Sequence, residues 1–258
     1  MIIIQLAGGL GNQLQQYALY QKFKSLGAEA KLDLSWFEQF EDTCKESKNK
    51  ERNKDDHGTN KIKPAIKQDI VVTNRQCELN FFEHLPYESC TKEEKTALTG
   101  SQGLAGKLRR KLLPQTVHWY KEEQMYDPEL LNYRKMYLSG YFACEKYYAD
   151  ILPELREMIR FPEIVDARKR MANEGILKKI RNSHAVSVHI RRGDYLQPEN
   201  AAMFGNICTE EYYESALDYM KEKIEDPHFF IFSDDTAYVR EHYQWEEYTI
   251  VDINHGDD

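Results

Sequence analysis

A short apolar run at residues 2–6 (IIIQL) breaks at Gly8, Gly9 and Gly11 and gives way at once to helical spacing. Leu19, Phe23 and Leu26 fall four and three apart on one predicted helix face, and Gly27 is placed to stop that helix. A second strand-like run, AEAKLDL, follows directly. Strand, glycine turn, helix and strand in so short a space predict a parallel βαβ unit, because parallel neighbours need a crossover and a helix is the usual one.

The same alternation returns later. AVSVHI predicts a strand ending at Ile190, and Thr209 is placed to cap a helix whose apolar face is Tyr213, Ala216, Leu217, Met220 and Ile224. Strand HFFIFS, a helix near 236–243 and strand YTIVDI complete the pattern. Two α/β halves are expected: 1–163, then a helical link at 164–181, then 182–258. A polar, highly charged stretch at 41–63 predicts an exposed, mobile insertion. The chain stops at Asp258 just past a strand, where a parallel sheet normally continues through a covering helix, so the second half is expected to be shortened.

Composition narrows the function classes. With 43 acidic against 35 basic residues and a net charge of −8, no dominant nucleic-acid surface is expected. Five scattered cysteines without a CxxC pair predict free thiols in a reducing compartment. Neither a signal peptide nor a membrane span is evident, so the cytoplasm is the expected location. The basic amphipathic piece at 100–116 predicts either a solvated helix or a peripheral contact with the inner membrane face or a lipid-linked glycan.

Three motifs sit where strands end. GGLGNQ, residues 8–13, offers bare backbone at Gly9 and Gly11, a helix N-terminus that favours anions, and the Asn12 amide. It is not a dinucleotide fingerprint, since Leu14 stands where the third glycine belongs, although Asp33 lies at a tempting distance on the next strand. VHIRRGDY, residues 188–195, puts two arginines beyond the carboxyl end of a strand, where ligands of open α/β sheets bind and where guanidinium groups match phosphate. One arginine could hold a diphosphate while the other pairs with Asp194 or another carboxylate. His189 reads either as a substrate donor or as a core histidine. FSDD, residues 232–235, repeats the arrangement: Ser233, Asp234 and Asp235 either receive a nucleoside or, in the case of Ser233, cap the next helix. No metal-ligand motif is visible, so arginine is expected to meet the phosphate charge.

These segments, with LSGYFACEKYYAD and CTEEYYESAL, run in an order that resembles the bacterial galactoside α-1,2-fucosyltransferases of glycosyltransferase family 11. The resemblance implies a GT-B-like fold: two Rossmann-like α/β domains facing a cleft, the second here incomplete. It implies GDP-β-L-fucose as donor, a terminal galactose as acceptor, inversion to an α-1,2 link, and no obligatory metal or other cofactor. By motif, Arg191 would contact the diphosphate, with Arg192 beside it and Asp194 ordering the turn. Gly9, Gly11 and Asn12 would approach the donor from the first domain, His189 would lie close to it, and Ser233, Asp234 and Asp235 would stand near the nucleoside. The base that takes the acceptor proton is left open among Asp194, Glu210 and His189. The family's usual tryptophan-rich segment after VDINHGDD is missing here.

Overall fold

The computed structural model describes residues 1–38, 76–83, 85–100, 118–196, 198, 201–202, 207–243, 245 and 247–254. The insertion expected at 41–63, Cys44, the stretch 101–116 and the polar tail at 255–258 lie outside the described residues. The chain divides into two compact units, Met1–Pro162 and Glu163–Asp258.

In the first unit, strands β1 (Ile2–Gln5), β2 (Ala30–Asp33), β3 (Trp119–Lys121) and β4 (Met136–Ser139) form a sheet in the order β2-β1-β4-β3. Every pairing is parallel. Ile2, Ile3 and Ile4 expose no surface, so β1 is covered on both faces, which is why it reads as an unbroken apolar run. Helix α1 (Leu10–Ser25) makes the crossover to β2 and buries Tyr17, Leu19 and Phe23. Each such side chain contributes about 2 kcal/mol by leaving water. Leu26, expected on the same face, is instead 46% exposed. It is the C-cap, and Gly27 at φ +74° has already turned the chain away.

Helix α2 (Lys92–Thr99) starts with a reciprocal capping box between Thr91 and Glu94 and delivers Lys95 to the sheet. There the Asp33 carboxylate, buried at 3% exposure, meets Lys95 Nζ at 2.8 Å, the Tyr137 hydroxyl at 2.6 Å and the Ser35 N–H at 3.0 Å. Asp33 is thus engaged in holding β2, β4 and α2 together. Burial alone would raise this carboxyl, but the Lys95 ammonium, the Tyr137 hydroxyl and the Ser35 N–H outweigh it and hold it below its ordinary value. Its stabilising contribution is therefore present above the ordinary carboxylate range and is lost as pH falls through the lowered folded value. Lys95→Met, which strands the buried charge, should cost about 3 kcal/mol at neutral pH. Urea titrations should show that penalty shrinking below about pH 4, once Asp33 is protonated. A penalty independent of pH would contradict this account.

Helix α3 (Leu152–Met158) closes the first unit, and helix α4 (Ala167–Arg181) opens the second. Asp166 caps α4 by accepting from the Arg168 and Lys169 N–H groups. Strands β5 (His184–Ile190), β6 (Pro227–Ser233) and β7 (Tyr248–Ile250) form a second parallel sheet in that order. Helices α5 (Glu210–Lys223) and α6 (Thr236–His242) pack on one face. Tyr213 and Leu217 of α5 and Val239 of α6 join Val186, Ile190, Phe229 and Ile231 in the core there. Gly175, Lys178 and Lys179 of α4 border a hollow with His228 and Phe230 of the opposite face. The β5 edge alternates, with Val186 and Ile190 buried and Ala185, Ser187 and His189 exposed. His189 is therefore not a core histidine.

Candidate functional site

The register of the second sheet builds the site. Ile190 of β5 lies beside Ser233 of β6, so the segments Arg191–Gly193 and Asp234–Asp235 leave the sheet side by side. A pocket of about 510 Å³ opens at this edge. His189, Arg191 and Arg192 line one side; Cys208, Thr209 and Glu210, entering α5, line another; Tyr238 of α6 adds a third. Thr209 caps α5 by accepting from the Tyr212 N–H, and Glu210 and Glu211 occupy its first turn. The Tyr213 hydroxyl donates to the His189 carbonyl at 3.1 Å, pinning α5 to the end of β5. Burial, with Cys208 alongside, pushes the Tyr213 phenol up to about 12, so it stays a donor across the neutral range.

The two arginines are treated differently. Arg192 donates from Nε to Asp235 Oδ2 at 3.2 Å, and its backbone N–H donates to Asp234 Oδ1 at 2.8 Å. Its guanidinium carbon lies 3.3 Å from the centre of the Tyr238 ring. Arg191 is exposed, with its guanidinium 4.6 Å from the centre of the Tyr195 ring at the pocket wall. Arg192 is thus bound into the turn by a carboxylate, Asp235.

The aspartates of FSDD hold this turn together. Asp235 Oδ1 accepts from the Tyr238 N–H at 3.0 Å, so Asp235, and not Ser233, caps α6. Ser233 Oγ accepts from the Asp235 N–H at 3.0 Å one step earlier. The Tyr238 N–H and the Arg192 guanidinium hold the Asp235 carboxyl below its ordinary value. Asp194 opens a single 3-10 turn, Asp194–Leu196, secured where the Leu196 N–H meets the Arg192 carbonyl at 3.0 Å; its side chain lies outside the described atoms.

Gly193 leaves room for Asp234. A Cβ there would stand 2.6 Å from Asp234 Oδ2, so the carboxylate would have to shift, at the expense of the bond that its Oδ1 accepts from the Arg192 N–H. Gly193→Ala should therefore cost about 1 kcal/mol, the worth of the displaced hydrogen bond. Differential scanning calorimetry checks this, and an unchanged melting temperature would show that the contact contributes nothing.

Gly9, Gly11 and Asn12 belong to the first unit. Gly9 is the extended N-cap of α1, Gly11 is exposed with open space where a Cβ would stand, and Asn12 is partly exposed. Gly8 adopts φ +82°, and a Cβ there would meet the Asn12 amide at 2.6 Å and the Tyr141 ring at 3.3 Å. Two residues that the sequence reading missed shape this turn. Gln13 is fully buried, donating to the Gly8 and Gln76 carbonyls and accepting from the Glu78 N–H. Gln16, also fully buried, accepts from the Ala7 N–H and donates to the Gly140 carbonyl. Their signal was available: Gln13, Gln16, Tyr17 and Tyr20 follow i, i+3, i+4, i+7 spacing on one helix face.

Among the described residues no group of three or more histidines, cysteines or carboxylates could hold a metal ion, and no helix is long and apolar enough to cross a membrane. Cys77, Cys90, Cys144 and Cys208 are free thiols.

Two parallel sheets, the second with a pocket beyond the carboxyl ends of its strands, make this a mixed α/β protein compatible with a Rossmann-like glycosyltransferase. Residues 118–254, more than half of the chain, match Glycosyl transferase family 11, and the chain belongs to that family of glycosyltransferases. It is 26% identical over 246 residues to the alpha-1,2-colitosyltransferase of Escherichia coli, covering 94% of this chain and 71% of that protein. It is 28% identical over 255 residues to the O-antigen biosynthesis glycosyltransferase WbnK of Escherichia coli, covering 90% and 72%. The galactoside alpha-(1,2)-fucosyltransferase 2 of Hylobates lar is 25% identical over 140 residues, covering 54% and 37%. No solved structure matches.

Proposed function

We propose that this protein is an inverting sugar transferase of GT-B type that moves L-fucose from GDP-β-L-fucose to the 2-hydroxyl of a terminal galactose. The observation that carries this reading is the pocket at the β5–β6 edge, lined by an exposed Arg191 and by Arg192, which Asp235 holds. Family membership and relatives named for alpha-1,2 transfer support the reaction class.

In this reading the acceptor oxygen attacks the anomeric carbon as the bond to the diphosphate oxygen breaks, and GDP leaves with that electron pair. Negative charge grows on the diphosphate, and in this reading Arg191, which shares its pocket with the N-terminus of α5, is the cation that stabilises it. The arginines meet this charge with no obligatory metal. The acceptor proton passes to a base, for which His189 and Glu210 are the pocket-lining groups.

A second reading, colitosyl in place of fucosyl transfer, is favoured by the name of the Escherichia coli relative aligned over 94% of this chain. Incubation with GDP-fucose and a β-galactoside, with the product linkage read by NMR, tests the first reading. An α-1,2-fucosylated product is expected. Release of GDP only from another GDP-sugar would favour the second, and no binding of any GDP-sugar would overturn both.

A further inference from the structure

The Tyr238 ring has two occupied faces. The Arg192 guanidinium carbon lies 3.3 Å from its centre, and the His242 ring, tilted by 22°, lies 3.9 Å from it. Two groups that close to one ring centre must sit on opposite faces, so Arg192, Tyr238 and His242 form a column. Both ends are tied down. Asp235 receives the Arg192 Nε–H with one carboxylate oxygen and the Tyr238 N–H with the other. His242, one turn on from Tyr238, contacts the Tyr238 carbonyl through Nδ1 at 3.1 Å. The tyrosine hydroxyl reaches across the pocket and donates to Glu210 Oε1 at 3.3 Å.

We propose that Tyr238 is a positioning residue for the donor site. Its ring, against the guanidinium, fixes the orientation of Arg192, and its hydroxyl orients Glu210 at the start of α5. An arginine held by one carboxylate alone could swing about that bond. Held also across an aromatic face, it keeps one orientation, so Arg191 and Gly193 leave the sheet in one conformation. A merely apolar contact would not require an aromatic ring at this place, nor a ring whose edge hydroxyl meets an acid. This inference rests on the donor reading above for its functional half; the column itself does not.

Two measurements on the full chain test it. The first is the Arg192 Nε–H resonance, which should be ring-current shifted and slow to exchange in the wild type and in Tyr238→Phe. It should lose both properties in Tyr238→Leu, and persistence there would overturn the column. The second is GDP affinity by calorimetry. Tyr238→Leu should weaken GDP about tenfold, within reach of a desolvated cation–π contact, whereas Tyr238→Phe should recover most of the loss. In an Arg192→Ala background the leucine change should add less than about twofold, because the ring acts through the arginine.

Full additivity of the two changes would overturn the positioning role, as would a lost resonance with undiminished affinity. Should Tyr238→Leu fail to fold, Tyr238→Trp carries the test: its larger π face should sharpen the resonance and hold GDP at least as well. A wild-type chain that does not bind GDP refutes the donor reading and the positioning role with it. The resonance still decides the column.

Discussion

Replacing Arg191 with alanine is expected to abolish the thermal protection that GDP confers and to lower kcat/KM for the donor by on the order of a hundredfold. Arg192 is engaged by Asp235 and the Tyr238 ring, so its charge is partly spent within the turn. Arg191 is exposed on the pocket wall against the Tyr195 ring, and a planar guanidinium there can make two parallel bonds to a phosphate. At a ligand concentration of 100 Kd, GDP should stabilise the wild type by about 2.7 kcal/mol, and this increment should vanish in Arg191→Ala. Arg191→Lys should restore only part of it, because an ammonium cannot make the two parallel bonds. Arg192→Ala should lower the melting temperature even without ligand, because it leaves Asp235 without its cation. Thermal scans of the three variants with and without GDP check the pattern. Undiminished protection of Arg191→Ala by GDP would contradict the role given to Arg191.

Gln13→Leu is expected to cost the first unit about 3 kcal/mol, although leucine is the better helix former and the more apolar residue. The amide of Gln13 satisfies three backbone groups at once, the Gly8 and Gln76 carbonyls and the Glu78 N–H. Leucine would leave them without that partner at a fully buried position, at roughly 1 kcal/mol or more each. Gln16→Leu removes two such bonds and should cost correspondingly less. Because Gln13 also secures the Gly8 carbonyl, the variant should loosen the turn that carries Asn12. Chemical denaturation gives the stability difference, and hydrogen exchange at Gly9 and Gly11 gives the loosening. A gain in stability for Gln13→Leu would show that the network contributes less than helix propensity.

What could be read beforehand follows the strength of local pattern. Strand β1, helix α1 and strand β2 were legible because a short unbroken apolar run and a period of 3.6 stand next to each other with glycine at both turns. In the second unit β5, β6 and the Thr209 cap were legible for the same reason. β3 was not: three residues, with Trp119 and Lys121 exposed, carry no period. Its place is set by pairing with β4, a contact distant in sequence and silent in local composition. The arginine turn stood out as a candidate anion site because two charged residues following a strand-like apolar run need a reason. The carboxylate that holds Arg192 was not legible. It depends on the register that sets Ile190 beside Ser233, and on Asp235 serving the cap and the ion pair together. Asp33 shows the converse. Its position suggested a ligand, and only the arrival of Lys95 and Tyr137 revealed it as an internal counter-charge.

The central claim is that the donor diphosphate sits at the carboxyl ends of β5 and β6. Titration of isotope-labelled protein with GDP, followed by backbone and arginine side-chain NMR, locates the ligand directly. The account predicts shifts concentrated at Arg191, Gly193, Cys208, Thr209 and Glu210, with Asp33, Lys95 and Tyr137 unmoved. Shifts confined to the opposite end of the second sheet, around His184, Asp226 and His228, would contradict it.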